Sequence, residues 1–426
     1  MRAADLVVAG CRELVTCAGP QPKRGPALRQ IGLVENGWVA SSKGVIVFTG
    51  SEEEFQTHVT AEPGAVTIDA RGMVALPGFV DAHTHLPFAG DRAREFGLRV
   101  QGWTYQQLAE RGLGILTTVK ATRAASLDDL VGLSLKRLDR MLLTGTTTVE
   151  AKSGYGLNLE DEVKQLEALR DLGTLHPIEI VPTFMGAHEI APEYRDRRED
   201  YVRLLVDTMI PEAGRRGLAE FFDVFCEPSA FTVEETRTLV IAAKAAGFKI
   251  KIHADEFVSQ GAAELAAEVG AISAEHLIAV SDEGIARLAA SDTAAILLPG
   301  VSFFLMMGKR APARRLIDAG AAVALASDFN PGSSHISSMP FILQLGVFTL
   351  GMTVEEAINA CTGNAAYAIR RHATVGSLEP GKKMDLLLCD VPDHVSLAYE
   401  AGRNPVRTVI KNGKVVVEDG RRVGPR

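Results

Sequence analysis

The chain has 426 residues, of which 46% are hydrophobic and 23% charged, and it carries a formal net charge of −8 with an isoelectric point near 5.8. A chain of this length predicts two to three domains or one large α/β barrel with an accessory module, and its apolar content supports a large core. The negative charge argues against nucleic-acid-binding proteins and proteins of anionic membrane surfaces, so we expect neither kind of partner.

Five cysteines lie at spacings that match no Cys-x-x-Cys metal motif: Cys11, Cys17, Cys226, Cys361 and Cys389. We expect them to be reduced and mostly structural. The first apolar stretch is interrupted by Asp5 and Arg12, which fits neither a signal peptide nor a membrane span. These features predict a cytoplasmic location.

Short β-like segments separated by Gly and Asn turns fill residues 1–70, among them DLVVAG and WVASSKGVIVFTG. The C-terminal part repeats this style, and Asn412-Gly413 between two apolar runs indicates a hairpin with a two-residue turn. We therefore predict one small β domain built from both termini, residues 1–76 and 374–426. It flanks a central domain over residues 77–373.

Between the terminal segments, apolar strands alternate with helical stretches, which is typical of βα units around a parallel sheet. One helix is predicted to begin after Thr232, because Glu235 three residues later completes a capping-box pattern. The predicted fold is α/β, a TIM-type (β/α)8 barrel with the small β domain attached, and a doubly wound open sheet is the alternative. The eight predicted strands cover residues 78–85, 146–154, 178–184, 221–227, 249–256, 271–277, 294–300 and 322–328.

Residues that can bind a metal gather at the C-terminal ends of the predicted strands, where a TIM barrel has its active site. Strand one carries His83 and His85, and the two-residue period of a strand places both imidazoles on one face. His253, His276 and Asp328 occupy the same end of strands five, six and eight. A single histidine is more often structural, but four with an aspartate at one barrel mouth predict a metal site.

This order of residues resembles the amidohydrolase superfamily, and longer stretches resemble its imidazolonepropionase family, among them HTHLPFAGDRAREF, EAKSGYGLN, FMGAHEIAPEY and ALASDFNPGSS. The likeness spans Leu76 to about Ser334, and GSLEPGKKMDLLLCD extends it into the C-terminal segment. It implies an enzyme that hydrolyses the cyclic amide of 4-imidazolone-5-propanoate to N-formimidoyl-L-glutamate in histidine degradation. The family precedent also implies a homodimer.

The resemblance implies one divalent or trivalent metal ion per subunit, Zn²⁺ or iron, which suits a ligand set of imidazoles with one carboxylate. Strand four, FFDVFCE, lacks the bridging lysine of binuclear relatives, and this favours a single ion. The implied ligands are His83, His85, His253 and Asp328. The implied catalytic residues, which move a proton from water to the leaving nitrogen, are Glu256, His276 and Asp328.

The implied substrate is a small molecule with a carboxylate arm, and Arg92 matches the family's carboxylate-binding arginine. The remaining implied substrate contacts are Tyr155, His188, Glu256, Asn330, Gly332 and Ser333. Lys152 is interpreted as a cation near the anionic substrate rather than as a displaced metal ligand. His335 has no counterpart that we can assign.

Two other functions stay open on the sequence. A related mononuclear amidohydrolase that deaminates a purine or pyrimidine uses the same ligand pattern, although Arg92 and Tyr155 favour a substrate with a carboxylate. A metal-free barrel that serves as a scaffold is the second alternative, and the intact ligand set argues against it.

Overall fold

The computed structural model describes residues 1–103, 107 and 113–424, and the strands of this part of the chain form two sheets. The N-terminal segment contributes five strands to the first sheet. Of these, β1 pairs with β2 and β5, and β2 also pairs with β3. The five strands are β1 (Arg2–Val15), β2 (Leu33–Ser42), β3 (Val45–Gly50), β4 (Val59–Asp69) and β5 (Val74–Pro77).

The second sheet is a barrel of eight parallel strands in sequence order, so the predicted fold class is confirmed. A strand segment lies within or overlaps each of the eight predicted ranges. The first and last strands are joined just beyond their ends by a parallel bridge between Thr84 and Phe329. The strands are β6 (Phe79–Asp81), β7 (Thr146–Lys152), β8 (Glu179–Ala187), β9 (Phe221–Cys226), β10 (Lys249–Ala254), β11 (Ser273–His276), β12 (Ala294–Leu297) and β13 (Ala322–Leu325).

Four C-terminal strands complete the first sheet: β14 (Leu386–Cys389), β15 (Val406–Lys411), β16 (Lys414–Glu418) and β17 (Arg421–Arg422). β14 lies between β5 and β15, which joins the two termini in one sheet as predicted. The hairpin at Asn412-Gly413 is confirmed, because both residues have positive φ, +50° and +72°, as a two-residue turn requires. The domain boundaries at residues 76 and 373 stay a prediction.

Helices follow the barrel strands, and none of the described ones is both long and apolar enough to cross a membrane. Thr232 caps the helix that begins at Val233, where its side chain accepts the Glu235 N–H, so the predicted capping box is confirmed. The α-helices are Glu52–His58, Ala93–Val100, Ile115–Ala124, Leu127–Leu143, Leu159–Leu175, Arg198–Leu204, Ile210–Arg216, Val233–Ala245, Ala262–Glu268, Asp282–Ala289, Pro299–Phe304, Ala313–Ala319, Met339–Leu350, Val354–Ala360, Gly363–Ala368 and Ser396–Tyr399. Gly25–Arg29 and Pro192–Tyr194 are 3-10 helices, and Leu205–Met209 is a π-helical turn that joins Arg198–Leu204 to Ile210–Arg216.

Side chains alternate along the barrel strands between an apolar environment and a polar one. In β9 and β10, Phe222, Val224, Ile250 and Ile252 belong to the main hydrophobic core. On the opposite face, Asp223 and Lys251 are buried ionic groups. The opposite face thus carries buried charge, and it also carries a second apolar cluster that includes Val80, Val181 and Phe221.

Candidate active site

The backbone that closes the barrel also carries the candidate metal ligands. β6 ends at Asp81, so the predicted strand is too long, and His83 and His85 lie on the segment after it. Their imidazoles nevertheless lie on the same side of the chain as predicted, with 5.3 Å between the ring centroids. The Asp328 N–H donates to the His83 carbonyl at 3.0 Å, and the His85 N–H donates to the Phe329 carbonyl at 3.0 Å. Closure of the barrel thus brings the first and last predicted ligands together.

The imidazoles of His83, His85 and His253 offer ligand atoms that lie within 4.8 Å of one another, and all three residues are buried. Oδ1 of Asp328 lies 3.2 Å from Nε2 of His83 and 3.4 Å from Nε2 of His85. His276 is placed beside this group, and with His83 and Asp328 it forms an alternative set of three. The structure therefore brings together all the predicted ligands and two predicted catalytic residues, His276 and Asp328.

The donor set fits a bound cation. Nε2 of His83, Nε2 of His253 and Oδ1 of Asp328 are buried and make no hydrogen bond of good geometry within the described part of the chain. Buried polar atoms without such partners are rare, and a metal ion would satisfy these three. Although burial opposes it, the Glu275 carboxylate raises the pKa of His83 to about 9, so a cation that binds Nε2 would take the place of a proton on this ring.

Two carboxylates contact the Nδ1 atoms of the ligand histidines His83 and His253. The sequence interpretation missed both of them. Glu275 lies 2.5 Å from Nδ1 of His83, and Asp223 lies 3.1 Å from Nδ1 of His253. Their sequence signal is an acidic residue inside an apolar strand. Such a residue is buried only when it has partners.

Lys152 does not face the substrate cavity, so its predicted place near an anionic substrate is wrong. Its side chain is fully buried, and Nζ lies 2.8 Å from Glu150, 2.8 Å from Asp223 and 3.2 Å from Glu275. The lysine is the cation of a buried ionic cluster inside the barrel. Paired carboxylates account for its charge.

A cavity of about 650 Å³ opens from the candidate metal ligands towards solvent. His85, His253, His276 and Asp328 form part of its lining. The predicted substrate contacts are all in that lining too: Arg92, Tyr155, His188, Glu256, Asn330, Gly332 and Ser333. His335 is absent from it, and its ring packs instead against Phe329 at 5.0 Å.

Arg92 reaches the cavity with one edge of its guanidinium already paired. Nε and Nη2 contact the two oxygens of Glu95 at 2.9 and 2.5 Å, and Glu95 also accepts the Gly114 N–H at 2.9 Å. The opposite edge passes Gly332, where a Cβ would lie 1.9 Å from Nη1. Glu95 and Gly332 together determine where this cation lies.

His188 has a defined tautomer in the cavity wall. Its Nδ1 donates to the Gly154 carbonyl at 3.0 Å, and its ring stacks on His85 with 4.9 Å between centroids. Burial and the neighbouring His85 lower the pKa of His188 to about 3, so the ring is neutral and Nε2 is left as an acceptor. Tyr155 packs 5.3 Å from the same ring.

Comparisons with known proteins agree with this geometry. The model of the amidohydrolase family matches residues 74–416. An imidazolonepropionase from Symbiobacterium thermophilum is 52% identical over 99% of both chains. Another, from Geobacillus kaustophilus, is 51% identical over 98% of this chain and 99% of its own. The chain belongs to the imidazolonepropionase family.

Solved structures place this imidazolonepropionase family member among amidohydrolase folds. An adenosine deaminase from Xanthomonas campestris with bound zinc superposes with a TM-score of 0.71, covering 100% of this chain and 95% of its own. A triazine hydrolase variant superposes with a TM-score of 0.72 over 99% and 96%. Their sequence identities are 18% and 19%, so these likenesses show the fold alone.

Proposed function

We propose that this imidazolonepropionase family member is a metal-dependent hydrolase that opens the cyclic amide of 4-imidazolone-5-propanoate to N-formimidoyl-L-glutamate, in histidine degradation. The observation that carries the proposal is the cavity itself. It joins a buried cluster of imidazoles and a carboxylate to an arginine that can bind a carboxylate arm. The 52% identity to an imidazolonepropionase over nearly the whole chain supports the same reaction.

One Zn²⁺ or iron ion is proposed to be held by four residues: His83, His85, His253 and Asp328. A metal ion bound by such ligands supplies Lewis-acid chemistry and makes water a nucleophile near neutral pH. Three imidazoles with one carboxylate suit either of these metals. Metal analysis of the purified protein identifies the ion.

Glu256 and His276 are proposed to move the proton. The Glu256 carboxyl lies 3.6 Å from Nδ1 of His276, and both side chains line the cavity. Burial and the charge of Asp328 raise the pKa of Glu256 well above its usual range. Burial lowers the pKa of His276, so a neutral imidazole stands beside a carboxyl that can carry a proton.

In the proposed reaction, the oxygen of water bonds to the amide carbon and the carbon–nitrogen bond of the ring breaks. Asp328 accepts the first proton that water loses, and Glu256 delivers its own proton to the departing ring nitrogen. His276 then carries the proton from Asp328 to Glu256, which restores both groups, and the second proton of water is released when the new carboxyl group ionises. The ring carbonyl becomes the new carboxylate of the product. Water is the only co-reactant that these steps consume.

The outer cavity is proposed to bind the propionate arm and the ring. Arg92 pairs with the carboxylate through the donors that Glu95 leaves free. Nε2 of His188 accepts a ring N–H. Tyr155 contacts the propionate end of the ligand, as Arg92 does. After the last strand, Asn330, Gly332 and Ser333 form a turn in which the Asn330 side chain accepts both following N–H groups at 2.8 Å.

The proposed function is tested with freshly generated imidazolone propionate. Loss of its ultraviolet absorbance with formation of N-formimidoyl-L-glutamate supports the proposal. Ammonia release from a purine or pyrimidine, without turnover of the imidazolone, would favour the deaminase alternative. Protein that binds no metal would favour the scaffold alternative.

We also propose that the protein is a cytoplasmic homodimer that binds neither nucleic acid nor membranes. The family precedent supports the dimer, and the net charge of −8 supports the absence of both kinds of partner. Light scattering after size-exclusion chromatography measures the oligomeric state. A monomer at working concentration would contradict the dimer.

A further inference from the structure

A buried ionic cluster lies beneath the candidate metal ligands, and the proposed reaction does not use it. Its five side chains project from β7, β9, β10 and β11, and each residue is 0% exposed: Glu150, Lys152, Asp223, Lys251 and Glu275. Three carboxylates and two ammonium groups leave a formal net charge of −1. Because desolvation of each charge is costly, such a cluster is stable only when every member is paired.

Lys152 links the three carboxylates of the cluster. Its Nζ lies 2.8 Å from Glu150, 2.8 Å from Asp223 and 3.2 Å from Glu275. An ammonium group has three N–H donors, so these contacts can use them all. The lysine therefore holds Asp223 and Glu275 close together although their charges repel each other.

The same two carboxylates contact the candidate ligands on their upper side. Oε2 of Glu275 lies 2.5 Å from Nδ1 of His83 and 3.6 Å from Nδ1 of His253. Nδ1 of His253 bonds to Oδ1 of Asp223 at 3.1 Å, whereas the contact between Glu275 and His83 is an ion pair without hydrogen-bond geometry. A carboxylate that accepts the Nδ1–H of an imidazole fixes the tautomer and leaves the Nε2 lone pair free for a metal ion.

We propose that Asp223 and Glu275, held by Lys152, are positioning residues for two candidate ligands. The hydrogen bond to Asp223 sets the tautomer of His253, and the ion pair with Glu275 sets the orientation of the His83 ring. The proposal rests on the metal-dependent function proposed above. Glu150 is the internal comparison. It is bonded to the same lysine and is equally buried, but none of its contacts within the described residues is to a histidine.

The test compares Glu275→Gln with Glu150→Gln in the full-length protein. Both changes remove one negative charge from a partner of Lys152, so a merely structural role predicts equal effects. We expect Glu275→Gln to weaken Zn²⁺ affinity by about 10- to 100-fold, measured by competition with a chromogenic chelator, and Glu150→Gln to leave it near the wild-type value. The visible spectrum of the Co²⁺-substituted protein should change in the first variant and not in the second.

Equal losses of affinity in both variants, or no loss in either, would overturn the proposal. Asp223→Asn supplies a second variant with the same expected loss, should Glu275→Gln not fold. A wild-type protein that binds no metal would overturn the proposed function instead, so the two failures can be told apart.

Discussion

Glu256 shows how a single carboxyl group can be prepared for proton transfer. It is buried in the cavity wall beside His276, where ionisation is disfavoured by desolvation and by the charge of Asp328. Among the described residues, Glu256 belongs to none of the groups of side chains that could bind a metal ion. Its chemistry and the metal site can therefore be separated by mutation.

Glu256→Gln should keep the metal and lower kcat by about 100-fold or more, the usual effect of losing a general acid or base. Metal content and kcat are measured on the same preparation. Glu189→Gln, also in the cavity lining, is the matched control and should keep its kcat. Metal loss in the Glu256 variant would make Glu256 a ligand and contradict this assignment.

Gly332→Ala should act on the substrate carboxylate without touching the metal. The new Cβ would lie 1.9 Å from Nη1 and 2.6 Å from Cζ of Arg92, so the guanidinium must move. A charge-assisted contact contributes about 1.5 to 3 kcal/mol, so KM should rise by about 10- to 100-fold, as it should in Arg92→Met.

Gly173→Ala is the control for this change, since no atom lies within 4 Å of its added Cβ. Steady-state kinetics with the acid and with its uncharged amide measure the preference for the carboxylate. Equal preference in wild type and Arg92→Met would mean that the carboxylate is bound elsewhere. Arg99, which also lines the cavity, would then be tested.

At the scale of elements, the helix Leu159–Leu175 holds the loop that presents Tyr155. Glu162 on this helix accepts the N–H groups of Gly154, Gly156 and Leu157 at 2.7 to 3.0 Å. Gln165, one turn later, accepts the Tyr155 N–H at 3.1 Å. Four consecutive backbone donors are thus satisfied by two buried side chains, which fixes the loop without any strand pairing.

Glu162→Gln should loosen this loop. The Glu162 carboxylate uses both of its oxygens as acceptors, whereas a glutamine amide has only one. At least one buried N–H of the loop therefore loses its acceptor, at a cost of about 1 to 3 kcal/mol. We expect a lower free energy of unfolding together with a higher KM, measured by denaturant titration and kinetics. Glu160→Gln, at an exposed position of the same helix, should change neither. An unchanged KM would show that the loop does not depend on Glu162.

At the scale of the whole molecule, the sequence predicted the strands better than the side-chain partners. Hydrophobic alternation and an Asn-Gly turn are local properties, so the barrel strands and the terminal hairpin could be predicted from them. Whether Lys152 faces the barrel interior or a substrate depends on the register of neighbouring strands, which no local pattern contains. The pairing of Arg92 with Glu95 likewise depends on a helix that begins only at Ala93.

Stability should fall in mild acid through His176. Its Nδ1 accepts the Ile178 N–H at 3.2 Å and its Nε2 faces Asp139 at 3.3 Å, an arrangement that needs the neutral ring. Burial, with the charge of Arg422, lowers the pKa of His176 to about 4. In the unfolded chain this histidine binds a proton at a higher pH, near 6.5. The stability that the neutral ring contributes is therefore fully present above pH 6.5 and is lost as the pH falls towards 4.

Protonation of His176 should lower the free energy of unfolding by about 2 to 3 kcal/mol between pH 7.5 and 4.5. Urea titrations measure the unfolding free energy at both pH values. From pH 7.5 to 4.5 it should fall by about 2 to 3 kcal/mol more in wild type than in His176→Asn, a variant that keeps an acceptor for the Ile178 N–H. Parallel pH dependence in the two proteins would contradict the assignment.

The sheet built from both termini has a consequence for biosynthesis. β5 ends at Pro77, and its partner β14 begins only at Leu386, so roughly 300 residues leave the ribosome in between. At a translation rate of about 5 to 20 residues per second, the edge of β5 that pairs with β14 stays unpaired for about 15 to 60 seconds. During that time the nascent chain exposes an apolar strand edge, the kind of surface that chaperones bind. The eighth barrel strand, β13, ends at Leu325, so the complete set of barrel strands is present only in the last part of this interval.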